Sequence, residues 1–151
     1  METPKRNGVT PVWSAAQEGH VDVLRFLHEC GCDMSTPRDS GATPAYIAAM
    51  QNNVAALRFL RDCGCDIDAP AAGATVVFAA AKEGLTDVLR LLHESGCDMS
   101  GTYRPNGQTA AHTAASSGHT DVLRFLCNDC GLESDMSRPS NQGFRPVHMA
   151  A

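Results

Sequence analysis

Apolar side chains recur along this chain in one fixed order, and the order returns roughly every 33 residues. Val23, Leu24, Phe26 and Leu27 are matched by Ala56, Leu57, Phe59 and Leu60, then by the same positions in DVLRLL and DVLRFL further on. That spacing puts the apolar residues on one face of a helix. Upstream of each such stretch lies a second block: GVTPVWSAA, GATPAYIAA, GATVVFAAA and GQTAAHTAA, with GFRPVHMAA closing the chain. Gly8, Gly41, Gly73, Gly107 and Gly143 open the blocks, at spacings of 33, 32, 34 and 36 residues. Self-similarity at such a period marks a repeat architecture, in which short units bury their faces against their neighbours.

Each unit reads as turn, short helix, tight turn, longer helix, loop. Thr10, Thr43, Thr75 and Thr109 precede the first helices, where a hydroxyl accepts from the free amides of the opening turn. Pro11 and Pro44 follow at the first helical position, where a missing N–H costs nothing. The first helices stop at Gly19, Asn52, Gly84 and Gly118, residue types that accept a left-handed backbone. Asp22, Asp87 and Asp121 suit the positive end of the second helices, and each is followed three residues on by Arg25, Arg90 or Arg124. That spacing predicts weak surface ion pairs. Gly31, Gly64, Gly96 and Gly131 end the second helices.

The T-P-x-x-x-A-A block, the following G-H and the later G-x-D, repeated at this period, closely resemble the ankyrin repeat family. The resemblance runs from about Lys5 to Ala151. It implies an all-α fold, an ankyrin-type solenoid of helix-turn-helix repeats with β-turn or hairpin tips. Residues 1–4 are then a lead-in to a repeat domain at 5–151, with repeats at 5–37, 38–69, 70–103 and 104–139 and a partial fifth at 140–151. Two departures stand out. The family's His in T-P-L-H is kept at His112 and His148 but replaced by Trp13, Tyr46 and Phe78, which predicts a column of stacked rings between units. The family's Ala in G-A-D becomes Cys32, Cys65 and Cys97, predicting small buried thiols.

Composition narrows the function. Alanine fills 21 positions and the aromatics only 8, which favours closely approaching helices. No apolar run approaches the ~20 residues of a bilayer-spanning helix, so membrane insertion is not expected. The opening METPKRNGVT has no signal-peptide character, and seven cysteines without one predict cytosolic thiols, hence a cytoplasmic location with the nucleus as the other possibility. A net charge of −5 argues against a nucleic-acid binder.

Candidate chemistry is sparse. Cys30-x-Cys32, Cys63-x-Cys65 and Cys127-x-x-Cys130 have metal-like spacing. Equivalent pairs in adjacent units lie about 10 Å apart along a helical stack, however, too far for one zinc ion with ~2.3 Å bonds. The histidines fall at equivalent positions, His20 with His119, His28 with His93 and His112 with His148, which is unlike a catalytic constellation. No phosphate-cradling or zinc-protease motif is present in the sequence. The expectation is no enzyme, no metal and no cofactor.

What varies between units is surface. The resemblance implies a protein–protein interaction scaffold, a monomeric array binding another protein through its concave groove and turn tips. The first-helix residues on that groove are Gln17, Glu18, Met50, Gln51, Lys82, Glu83, Ser116 and Ser117. The tips contribute Arg38, Asp39, Ser40 and Ala42 from one turn, and Tyr103, Arg104, Asn106 and Gln108 from another. The closing MAA stops where a second helix is due. That gives an alternative: an ankyrin-repeat fragment of a larger regulatory or enzymatic protein, positioning another domain.

Overall fold

The computed structural model describes residues 8–71, 73–100, 102–103 and 107–131. The contacts divide the chain into two units, residues 1–76 and 77–151.

The first unit holds four helices, α1 (Pro11–Glu18), α2 (Val21–Glu29), α3 (Pro44–Met50) and α4 (Val54–Asp62). Thr10 Oγ1 accepts the Trp13 amide at 3.1 Å and Thr43 Oγ1 the Tyr46 amide at 3.0 Å, with Pro11 and Pro44 at the first helical turn. Gly19 ends α1 in the left-handed region at φ 73°, and Asn52 takes that conformation after α3 at φ 58°. These stops turn each helix pair into a hairpin. α1 packs on α2 and α3 on α4, while α1 meets α3 and α2 meets α4. Ala15, Ala16, Ala48 and Ala49 are almost wholly buried. Small side chains there let α1 and α3 approach closely. Leu24, Leu57 and Leu60 form the fully buried layer of the second helices.

The second unit contains α5 (Val76–Glu83), whose first residue closes the preceding unit, and α6 (Thr86–Glu94). A two-residue hairpin follows, β1 (Thr102–Tyr103) antiparallel to β2 (Gln108–Thr109), with Thr102 opposite Thr109. Then come α7 (Ala110–Ser116) and α8 (Thr120–Asn128). α8 packs on α7 and on α6. Leu89, Leu92, Val122 and Leu126 are fully buried here. In place of a proline, α7 opens with a reciprocal cap: Thr109 Oγ1 accepts the His112 amide at 3.4 Å, and His112 Nδ1 accepts the Thr109 amide at 3.2 Å.

The helix stops and starts, the hairpin tip and the all-α class match the sequence pattern. Three expectations need correction. No ion pair joins Asp22 to Arg25, Asp87 to Arg90 or Asp121 to Arg124; Arg90 instead reaches Asp129, 39 residues away, at 3.4 Å and lies over the Phe125 ring at 5.3 Å. An exposed i,i+3 pair is worth a few tenths of a kcal/mol, about what a neighbouring repeat can outbid with one aromatic face. Second, Trp13 does not stack on Tyr46. Its ring sits under Arg38, and two ring pairs join second helices, His28 to Phe59 and His93 to Phe125. Third, of the thiols in the G-x-D position only Cys32 is buried, while Cys65 and Cys97 are half-buried.

Candidate functional site

The first tip is built from its backbone outward. Arg38 N–H donates to Ala42 O at 3.0 Å and Gly41 N–H to Arg38 O at 2.8 Å, closing a tight turn over residues 38–42. Trp13, one turn into α1, donates its indole N–H to Ala42 O at 3.2 Å. The Arg38 guanidinium carbon stands 4.8 Å from the Trp13 ring centroid. Its Nε is buried without an acceptor, so the ring face is what balances the charge there. The tip is therefore clamped to the helix beneath it, and the two residues at its apex, Asp39 and Ser40, face solvent.

The stretches leading into the tips are also fixed by local carboxylates. Asp33 accepts from the Ser35 amide at 2.9 Å and its hydroxyl at 2.7 Å, and Asp98 does the same with Ser100 at 2.8 and 2.7 Å. These hydrogen bonds to the ionised form hold both carboxyls below the usual range.

The candidate first-helix residues lie at helix ends. Glu18, Gln51, Lys82, Glu83, Ser116 and Ser117 are exposed, and Gln17 and Met50 half-buried. Sequence reasoning missed what fixes those ends. The Asn53 side chain donates to Ala16 O at 3.2 Å and Gln17 O at 2.7 Å, and His119 Nε2 donates to Lys82 O at 2.8 Å. Both donors occupy the residue just before a second helix. They tie the second repeat to the end of α1 and the fourth to the end of α5, and leave the Gln17 and Lys82 side chains outside. The signal was present as a polar residue at that register in three of the four repeats, His20, Asn53 and His119, with Leu85 in the third. Gln108 is half-buried in β2 and Tyr103 lies in β1, whereas Arg104 and Asn106 fall outside the described residues.

The thiols follow burial. None of the seven cysteines is in a disulfide. Burial, with smaller contributions from the neighbouring Cys63 and Asp33, pushes the Cys65 thiol from an ordinary 9.0 up to about 11. Burial raises Cys63 and Cys130 too. Thiolate is the reactive species, so Cys65 should alkylate about 100-fold more slowly at pH 8 than an unperturbed thiol. Exposed Cys30 should be modified before Cys65 and buried Cys32. Peptide mass mapping over an iodoacetamide time course checks the order, and early labelling of Cys65 would contradict it. Among the described residues no three His, Cys, Asp or Glu side chains converge on a metal-sized point. None of the described helices is long and apolar enough to cross a membrane.

Stacked helix pairs with left-handed stops, hydroxyl-capped first helices and short turn tips define a helix-turn-helix repeat protein. The family model for ankyrin repeats matches residues 1–71 and 76–151, in three copies. The chain belongs to the ankyrin repeat family, whose members in general bind other proteins and are typically non-catalytic. No curated protein matches the chain.

Proposed function

We propose that this chain is a non-catalytic scaffold that binds a partner protein through its turn tips and the exposed ends of its first helices. The clamped tip carries this reading: Trp13, Arg38 and Ala42 hold Asp39 and Ser40 in place before any partner arrives. A surface ordered in advance loses little conformational entropy on binding. Four of the five described histidines have structural tasks. His112 caps α7, His119 holds a backbone carbonyl, and His28 and His93 pack against phenylalanines. Seven cysteines outside any disulfide suit a reducing compartment such as the cytoplasm.

The test places a photo-crosslinking residue singly at Gln17, Asp39 and Gln51, and for comparison at Asp22 and Arg58 on the second helices. All five positions tolerate it, being exposed or half-buried. In cells, the first set should yield a crosslinked polypeptide and the second should not. With that polypeptide purified, Asp39→Ala combined with Ser40→Ala should weaken binding at least about tenfold, as a pair of contacts worth ~1.4 kcal/mol would. Crosslinks confined to Asp22 and Arg58 would move the surface to the second helices and overturn the proposal.

A further inference from the structure

Two of the second helices run into the same three residues, Cys30-Gly31-Cys32 after α2 and Cys63-Gly64-Cys65 after α4. Both stops are built alike. Gly31 N–H donates to His28 O at 3.0 Å and Cys32 N–H to Leu27 O at 3.0 Å. Gly64 N–H donates to Arg61 O at 2.9 Å and Cys65 N–H to Leu60 O at 3.1 Å. Such nested bonds close a helix through a left-handed glycine, here at φ 81° and 86°.

The glycine fixes how the cysteines on either side of it meet. A left-handed helical residue sets its two neighbours' Cα atoms about 5.4 Å apart, as its right-handed mirror image does. A disulfide spans Cα atoms about 4.4–6.8 Å apart. Cys30 holds φ −76°, ψ −2° and Cys63 holds φ −77°, ψ 0°. From those dihedrals the Cα–Cβ bonds before and after the glycine lean to the same side. Joining the sulfurs then takes rotation about side-chain bonds and leaves the nested backbone bonds in place. The thiols are within reach of solvent as well as of each other: Cys30 is exposed, and Cys63 and Cys65 are half-buried. Burial is the main cause of the raised Cys65 thiol, but the Cys63 sulfur also acts on it, so these two sulfurs share one neighbourhood. A Cβ built on Gly31 or Gly64 meets nothing within 4 Å beyond its chain neighbours, which leaves that edge of each turn open.

We propose that the two Cys-Gly-Cys stops are dithiol sites, each oxidised by a low-molecular-weight disulfide to a disulfide closed within the turn. One cysteine thiolate, Cys30 in the first stop, attacks a sulfur of the oxidant; that S–S bond breaks and one thiolate leaves. The other cysteine gives up its proton, and its sulfur attacks the mixed disulfide and expels the second thiolate. Two cysteine thiols lose two electrons and two protons, and one oxidant disulfide becomes two thiols. The third repeat carries the same stop without its first thiol, as Ser95-Gly96-Cys97, with Gly96 at φ 84° and nested bonds to His93 O and Leu92 O at 3.0 Å. Cys97 can carry the mixed disulfide and go no further.

The test equilibrates the folded protein with reduced and oxidised glutathione, quenches with acid, blocks with N-ethylmaleimide and maps tryptic peptides by mass. Trypsin leaves each pair alone on one peptide, Phe26–Arg38 and Asp62–Lys82. Both should appear unblocked and lighter by two hydrogens, whereas Cys97 should be blocked or bound to glutathione. Diluting both forms of glutathione about tenfold at constant ratio should raise the closed-to-open ratio of each pair about tenfold and leave the glutathione-bound fraction of Cys97 unchanged, since closure releases two thiols and adduct formation one. Ser95→Cys should give the third stop the same response to dilution. Glutathione adducts without closure, disulfides that link one stop to the other, or closure only after unfolding in urea overturns the proposal. So does a Ser95→Cys stop that fails to close.

Discussion

Leu57→Ala will cost this protein about 2–5 kcal/mol of unfolding free energy, while Phe26→Ala, which removes a larger side chain, will change it by less than about 0.5 kcal/mol. Both residues lie on second helices, at apolar positions of the same recurring pattern. Leu57 has no accessible surface and sits in α4, packed against both α3 and α2. Its truncation removes the transfer energy of the lost carbons and leaves a cavity that two helix contacts cannot both relax into. Phe26 is 58% exposed, so the ring gives up little burial, and alanine is the better helix former. Urea titration of the two variants and the parent decides between these outcomes. Equal losses would mean that α2 buries its outer face as fully as α4 does.

The contrast between those two residues also marks how far the sequence could be read. Periodicity identifies Val23, Leu24, Phe26 and Leu27 as one set, and the set is equivalent in every unit. Burial splits it: Leu24 and Leu27 are buried on the packed side of α2, whereas Val23 and Phe26 are 45% and 58% exposed. Helix ends were legible because glycine, asparagine, threonine and proline act through their own backbone or the next turn. Gly19, Asn52 and Thr109 behave as their types dictate. Arginine was not legible. Arg90 can reach Asp87 by helical spacing, yet it chooses Asp129 and the Phe125 face, a choice set by stacking rather than by local order. Trp13 misled for the same reason. Its ring type suggested stacking with other rings, but the tip above it supplies a cation and a carbonyl. Of the candidate surface, exposure at helix ends and at residues 39 and 40 could be read from sequence. The locks on Gln17 O and Lys82 O left only half a mark: the polar donors Asn53 and His119 share a register, but a backbone acceptor leaves none on residue identity.

Those locks lead to the second large effect. Gly19→Ala should destabilise the chain by about 2–4 kcal/mol, against about 1–2 kcal/mol for Gly31→Ala. Both glycines hold positive φ, 73° and 81°, so each alanine carries the same left-handed penalty. Their surroundings differ. A Cβ at Gly31 meets nothing within 4 Å, while one at Gly19 lies 2.9 Å from Asn53 Cγ and Oδ1. The Asn53 amide must then leave Ala16 O and Gln17 O, and each lost bond is worth about 0.5–1.5 kcal/mol net. A double-mutant cycle separates the two contributions. With Asn53→Ala already in place the contact is gone, so the further cost of Gly19→Ala should fall to that of Gly31→Ala. If the cost of Gly19→Ala is undiminished in that background, the close approach carries no energy and the carbonyls are not what join the repeats. The second unit offers an independent repetition, because a Cβ at Gly84 (φ 75°) would lie 2.6 Å from His119 Nδ1, on the ring whose other nitrogen holds Lys82 O. Gly84→Ala should therefore couple to His119→Ala with the same sign. Agreement between an asparagine lock and a histidine lock would show that the register position, rather than either side chain, carries the joint.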